Sequence, residues 1–219
     1  MGELVHDGDR PDPTWVYHIT RMEHLPSMIV HGLWSDTLAS ARRLSSIGIA
    51  HTHLKAKRAR RPVPIHPGGV LADYVPWYFA PRSPMLYAIH KGNVAGHGPD
   101  CSRIVYLSTT VGELRRRGLA VLGTDRHALM DYAHFTDDDA ELTTYVDWPL
   151  MRRRIWRSEA DDPDRGERRQ AELLVHRHVP WDSIAFIAAK TAATVAEVQA
   201  MVESARVSTR LLVRPDWYF

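Results

Sequence analysis

The chain has 219 residues, 44% of them hydrophobic, enough to bury a substantial core and near the upper edge of a one-domain length. Its longest apolar stretches are too short to cross a bilayer, and its N-terminus is acidic and polar rather than signal-like. The single cysteine, Cys101, excludes an intrachain disulfide and a thiolate metal site, and a formal charge of +2 is too small to imply nucleic acid by itself. One cytoplasmic domain over residues 1–219, without membrane contact or metal, is the expectation.

Residues 1–13 read as a mobile arm. Trp15 to Ile19 (WVYHI) reads as a strand, and Thr20 is placed to cap a helix from about Arg21 to His31. Leu25, Met28 and Ile29 fall at helical spacing there, and Gly32 ends it. Asp36 to Ser46 has no clear period and reads as a loop, whereas Ile47 to Arg60 reads as a short basic helix stopped before Pro62. His51 and His53 in it suit polar surface or site positions better than a metal, since no HExxH spacing accompanies them. Between Asp36 and Asp73 there is no acid, yet the interval carries Arg42, Arg43, Lys55, Lys57, Arg58, Arg60 and Arg61. Such a field suits phosphates, although an isolated charge run is also what a solvated face looks like.

Pro62 to Gly69 must be a loop. Tyr74 to Ala80 (YVPWYFA) has the composition of a strand, with Pro76 arguing against a central position in a sheet. Ser83 then begins a helix through about His90, with proline in its first turn and Gly92 beyond its end. Arg103 to Ser108 alternates like a strand, Thr110 and Glu113 form a capping box, and Leu119 to Leu122 suggests a further strand. From Asp137 to Arg169 the hydrophobic period is weak, which predicts a long, mobile insertion. The last third is regular: strands at Ala171 to His176, Ser183 to Ala189 and Arg210 to Arg214, a helix at Thr191 to Ala205, and the aromatic terminus Trp217, Tyr218, Phe219. The pattern predicts an α/β (α+β) fold with a mixed, largely antiparallel central sheet and flanking helices.

Three features offer chemistry. Glu172 begins an apolar strand pattern directly after the long polar segment, and pattern alone favours a solvent-facing edge over a group aimed into a cleft. His18 and Thr20 are two residues apart and share a strand face, suited to a ribose or amide or, equally, to a histidine pair and a helix cap. Arg58 lies in the basic run.

Read together, these pieces resemble the DarT family of DNA ADP-ribosyltransferase toxins. The resemblance rests on YHIT at Tyr17 to Thr20, KRARRPVP at Lys57 to Pro64 and PGGVLADYVPWYFAPRSPMLYAI from Pro67 to Ile89. TDRH at Thr124 to His127, RQAELLV at Arg169 to Val175 and the terminal DWYF extend it over nearly the whole chain. It implies an ADP-ribosyltransferase-like fold in which Glu172 and Arg58 are catalytic and NAD is the co-substrate. His18, Ile19, Thr20, Ser27 and Arg58 would contact NAD, within an NAD-facing stretch from Ser46 to Val63. Ser27 departs from the glycine expected at its position. Residues of about 124–169 become a substrate-recognition segment, with His127, Trp148, Arg154 and Trp156 toward the DNA. Arg152 and Arg153 would touch phosphates there, and Trp77 and Tyr78 either stack on bases or pack in the core. The implied partners are single-stranded DNA and a macrodomain antitoxin of the DarG type, with the chain itself a monomer. Thymine is the implied base, with guanine open.

On this reading Glu172 stabilises positive charge developing on the NAD ribose, as carboxylates do in glycosidases. An arginine stays protonated and is a poor general base, so Arg58 polarises the acceptor or fixes NAD, and Glu172 takes the base proton. The rivals are an RNA-directed ADP-ribosyltransferase or RNA 2′-phosphotransferase on the same fold class, and a nucleic-acid-binding protein without catalysis.

Overall fold

The computed structural model describes residues 9–44, 52–94 and 101–219. In chain order it contains β1 (Trp15–Arg21), α1 (Leu25–His31), β2 (Leu33–Trp34), α2 (Asp36–Ala41), α3 (Thr52–Arg58), β3 (Tyr74–Tyr78) and α4 (Pro84–His90). Then follow β4 (Ile104–Thr110), α5 (Val111–Arg116), β5 (Val121–Thr124), β6 (Phe135–Thr136), α6 (Asp139–Tyr145), α7 (Trp148–Arg152) and α8 (Arg165–Arg168). The chain ends with β7 (Glu172–His176), β8 (His178–Val179), β9 (Phe186–Ala189), α9 (Ala192–Ser204) and β10 (Arg210–Val213). Eight strands form one sheet in the order β10, β9, β4, β1, β3, β7, β5, β6, and β2 pairs separately with β8. Every neighbouring pair in the large sheet is antiparallel except β9 with β10, so the expected mixed, largely antiparallel sheet is present.

Alternation along β4 explains how one sheet serves two cores. Val105 and Leu107 join Val16, Trp77, Leu173 and Val175 on one face, while Ile104 and Tyr106 join Ile19, Leu86 and Ile89 on the other. Both faces are covered, so the central strands read as nearly continuous apolar runs. The aromatic terminus closes the second core: the Tyr106 hydroxyl donates to the Trp217 carbonyl at 3.0 Å, and the Tyr218 hydroxyl to the Ile104 carbonyl at 2.8 Å. Burying these phenols with partners removes the cost of leaving them unpaired.

Pro76 corrects one expectation. Its strand is central, between β1 and β7. The ladder between β1 and β3 consists of the single pair Tyr17 with Tyr78, after which the two strands part. Continued in register, Ile19 would face Pro76, which has no N–H to give. The Pro76 carbonyl instead accepts from the His18 ring at 2.8 Å, a side chain standing where a backbone donor would be. On its other side β3 keeps a full ladder to β7, from Tyr74 with His176 to Tyr78 with Glu172. A proline is tolerated in the middle of this sheet because the sheet is split beside it.

Other expectations are corrected by local polar bonds. Thr20 caps no helix: β1 runs on through Arg21, and Thr20 Oγ1 pairs with His24 Nδ1 at 3.2 Å. Asp36 to Ala41 is the helix α2 rather than loop, started by Ser35, whose hydroxyl accepts from the Leu38 N–H. Thr110 does cap α5, but Glu113 turns away from a reciprocal box to Arg116 and Arg117. Of the N-terminal arm, residues 9–13 are described, and Arg10 ties them down by pairing with Asp139 at 2.8 Å.

The segment from Asp137 to Arg169 is the largest correction. It holds three short helices, α6 capped by Asp138 and α7 capped by Asp147. Arg168 reaches Asp147, Asp162 and Asp164, and Arg165 pairs with Asp162 and Glu159. Arg169 is buried and bonds carbonyls from two places, Met151 at 2.8 Å and Pro81 at 2.6 Å. That guanidinium ties the segment to the turn after β3, and burial pushes its pKa down to about 10.

Candidate active site

A cleft opens where β1 and β3 part. Its walls include His18, Ile19 and Thr20 from β1, Tyr78 from β3, Met28 from α1, Trp34 from β2, and Lys55 and Arg58 from α3. His18 donates from Nδ1 to the Pro76 carbonyl, so in the neutral ring Nε2 is an acceptor. Burial pushes its pKa below the ordinary 6.5, against the opposing effect of that carbonyl. Asp36 and Lys55 pair at 3.2 Å across the wall formed by α2 and α3.

Glu172 lies at the base of the cleft and is 3% exposed, so the solvent-facing edge expected from its strand pattern is corrected. The reason is topological: β7 sits between β3 and β5, and no edge is available to it. One carboxylate oxygen accepts from Arg58 Nη1 at 2.9 Å, and the other from the Ala128 N–H at 3.3 Å. Its own N–H donates to the Thr124 hydroxyl at 3.0 Å. A buried carboxylate needs this degree of pairing. Arg58 Nη2 is buried and has no hydrogen-bond partner among the described residues, a donor left over beside the carboxylate.

His127 sits 3.6 Å from Glu172, measured from Nδ1 to Oε1. That nitrogen accepts from the Leu129 N–H at 3.1 Å, which places the proton of the neutral ring on Nε2. Burial lowers the pKa of His127, partly offset by Glu172. Tyr78 is paired with Glu172 across the β3–β7 ladder and lines the cleft, and burial, reinforced by Glu172, pushes its phenol well above the ordinary 10. It is an O–H donor at any physiological pH.

Of the residues expected from sequence, the cleft brings together His18, Ile19, Thr20, Arg58, His127 and Glu172. Ser27 is exposed on α1 and is not part of the lining. Trp148, expected to face DNA, is 2% exposed; its Nε1 donates to the Thr143 carbonyl at 3.0 Å and its ring meets Phe79 edge-on, so it is a core residue. Trp77 is likewise core. Arg152, Arg153 and Arg154 are exposed, and Trp156 is partly buried. His51 and residues 46–51 of the expected NAD-facing stretch lie outside the described residues, as does the side chain of His53. Sequence reasoning missed His24 and gave Tyr78 no role beside the glutamate; the signal was the i, i+4 spacing from Thr20 and the strand register, which needs the sheet order to be read. Among the described residues no group of three or more His, Cys, Asp or Glu side chains is arranged to hold a metal, and no helix is long and apolar enough to cross a membrane.

A mixed sheet parted at its centre, with a buried glutamate opening the strand beside the gap and an arginine on its carboxylate, is the frame of an ADP-ribosyltransferase-like fold. The comparisons narrow that class. Residues 17–219 match the family model described as ssDNA thymidine ADP-ribosyltransferase, DarT, and the chain belongs to that family. It is 36% identical over 213 residues to the DNA ADP-ribosyl transferase of Thermus sp. 2.9, covering 95% of this chain and 98% of the relative. The enzyme of the same description from Mycobacterium tuberculosis is 29% identical, with 97% and 92% covered. Among solved structures, Thermus sp. 2.9 DarT in complex with ADP-ribosylated ssDNA superposes with a TM-score of 0.87 at 35% identity, over 95% of this chain and 98% of that one. The same protein in complex with NAD+ gives 0.82 at 34% identity, over 95% and 99%.

Proposed function

We propose that this chain breaks the bond between nicotinamide and ribose in NAD and joins the ADP-ribose to thymine in single-stranded DNA. The observation that carries the reading is the buried pair of Arg58 and Glu172 at the base of the cleft. The residues present suit a dinucleotide: the spare Arg58 Nη2, the Tyr78 and Thr20 hydroxyls and Nε2 of His18 offer both donors and acceptors.

Nicotinamide leaves with the bonding electrons, and positive charge develops on the ribose. Glu172 provides the negative charge that stabilises it in a site shielded from water. Arg58 holds that carboxylate in place and polarises the acceptor base, whose ring nitrogen loses its proton to Glu172 and forms the new bond to the ribose carbon. His127, a donor through Nε2, orients the base. The ring nitrogen of the base is occupied in a duplex, which favours a single strand. Ile19 lies along the NAD wall, and Arg154 and Trp156 on the segment before Glu172 face the strand.

The test is mass spectrometry of a mixed-sequence oligonucleotide after incubation with NAD. ADP-ribose on thymine is the expected product, and loss of Glu172 in Glu172→Ala lowers the rate by about 10² to 10⁴. Modification of RNA alone, or a Glu172→Ala protein that modifies DNA at near the original rate, would overturn the reading. A base-modifying enzyme endangers its own cell, so we place it in the cytoplasm with a macrodomain antitoxin of the DarG type; co-expression with such a macrodomain should relieve growth arrest.

A further inference from the structure

The Glu172 carboxylate is held from two sides by distant parts of the chain. Arg58, at the end of α3, donates to one oxygen, and the Ala128 N–H, in the loop joining β5 to β6, donates to the other. The same loop carries His127, whose ring stands 3.6 Å from the carboxylate. Residues 125–134 contain no helix or strand, so the shape of the loop depends on bonds made to it from outside. Two lie near its stem: the Asp125 carboxylate accepts from the His134 N–H at 2.8 Å, and the His127 N–H donates to the Glu167 carbonyl at 3.0 Å. Its far turn is held by Arg61.

Sequence places Arg61 in a basic field suited to phosphates, but its head is turned to the protein. Nη2 donates to the Met130 carbonyl at 2.8 Å and the Asp131 carbonyl at 3.2 Å, and Nη1 donates to the Asp131 carboxylate at 3.0 Å. The Asp131 side chain is 95% exposed, so its ion pair contributes little and the two carbonyl bonds carry the hold. Arg61 is itself a fixed point: its N–H donates to the Lys57 carbonyl at 3.0 Å, and its carbonyl accepts from the Leu71 N–H at 2.9 Å on the way into β3. The Met130 N–H donates to the His127 carbonyl at 2.9 Å, which makes residues 127–130 one tight turn. Displacing Met130 therefore moves His127 and Ala128 with it. The bonds close a ring: Arg58 to Glu172, Glu172 to Ala128, the turn to Arg61, and three residues of chain back to Arg58.

We infer that Arg61 is a positioning residue, which through the carbonyls of Met130 and Asp131 sets where the Ala128 N–H meets Glu172 and where His127 meets the acceptor base. Its kinetic consequence rests on the transfer reaction proposed above. NAD binding does not depend on it, because His18, Thr20 and Tyr78 stand on strands and Arg58 keeps its own bond to Glu172. A small displacement of groups that orient a reacting base is costly in rate even when binding is intact.

The experiment compares Arg61→Gln and Arg61→Lys with wild type by NAD titration, by the kcat of transfer to an oligonucleotide and by amide hydrogen exchange. Arg61→Gln lowers kcat about ten- to a hundredfold at unchanged NAD affinity. Exchange of the Ala128 amide quickens while the amides of β5 and β7 keep their protection. Arg61→Lys, which keeps the charge but lacks the planar fork that spans two carbonyls, recovers part of both. In a His127→Asn background the loss caused by Arg61→Gln shrinks, because one of the groups it positions is already gone. The inference fails if kcat and Ala128 exchange are unchanged, or if the kcat loss is the same with and without His127. It fails equally if NAD affinity falls with kcat, or if exchange quickens through β5 and β7 alike, since Arg61 would then only support the fold. A wild-type protein that modifies no DNA would sink the proposed function, and the exchange of Ala128 would still decide the positioning.

Discussion

His18 and His127 both stand in the cleft as neutral rings, each with a pKa held below the ordinary 6.5 mainly by burial. In the unfolded chain both return toward 6.5, so below that pH the unfolded state binds more protons than the folded one. Their contribution to stability is therefore present above pH 6.5 and lost as pH falls, with a slope of at most about 1.4 kcal/mol per pH unit for each ring. Denaturant titrations at pH 7.5 and 5.5 should show the loss, and His127→Asn should reduce it; an identical loss in wild type and variant would contradict the assignment. At the residue scale the sequence was legible for His18, Thr20, Arg58 and Glu172 as a set, through the family resemblance. Burial of Glu172 was not, because its partner Arg58 is 114 positions away and its strand became central only through the sheet order. Trp148 was misread for a related reason: a tryptophan in a polar segment looks exposed until the helix carrying it is packed on Phe79.

Elements with their own signals were readable. Most apolar strands, the helix starts at Ser83 and Thr191 and the proline in the first turn of α4 lie where local sequence puts them, although the strand expected at Leu119 to Leu122 falls at Val121–Thr124. Helices α6, α7 and α8 were not readable, since each is too short to show a period and its stabilising groups are acids and arginines that also describe a loop. Asp147 does two jobs in that segment, accepting from the Leu150 N–H at 3.0 Å and pairing with Arg168 at 3.2 Å. Replacing it with alanine removes a cap worth about 1 kcal/mol and a partly exposed ion pair worth less. Hydrogen exchange should quicken within residues 139–168 while the amides of β3, β4 and β7 keep their protection. Uniform loss of protection would mean that the segment and the sheet open together.

Across the whole molecule, strand content and the mixed sheet were legible, but the order of the strands was not, and with it the position of the gap between β1 and β3. Pro76→Val restores an N–H facing β1 and adds a β-branched residue to a central strand. The sheet should zip further, raising the melting temperature by a few degrees, consistent with about 1 kcal/mol for a regained hydrogen bond, while NAD affinity falls. A variant that is both more stable and fully able to bind NAD would show that the gap does not depend on the missing donor.

The parted strands set a limit on how this fold can be improved. Selection for thermal stability alone would favour closing the seam, and each bond gained there would remove wall from the cleft. Stabilising changes compatible with activity should therefore accumulate away from the seam, on the side of the sheet held by β4, β9 and β10. A library selected first for heat resistance and then screened for DNA modification would reveal this as a depletion of active clones carrying substitutions at positions 18–20 and 74–78.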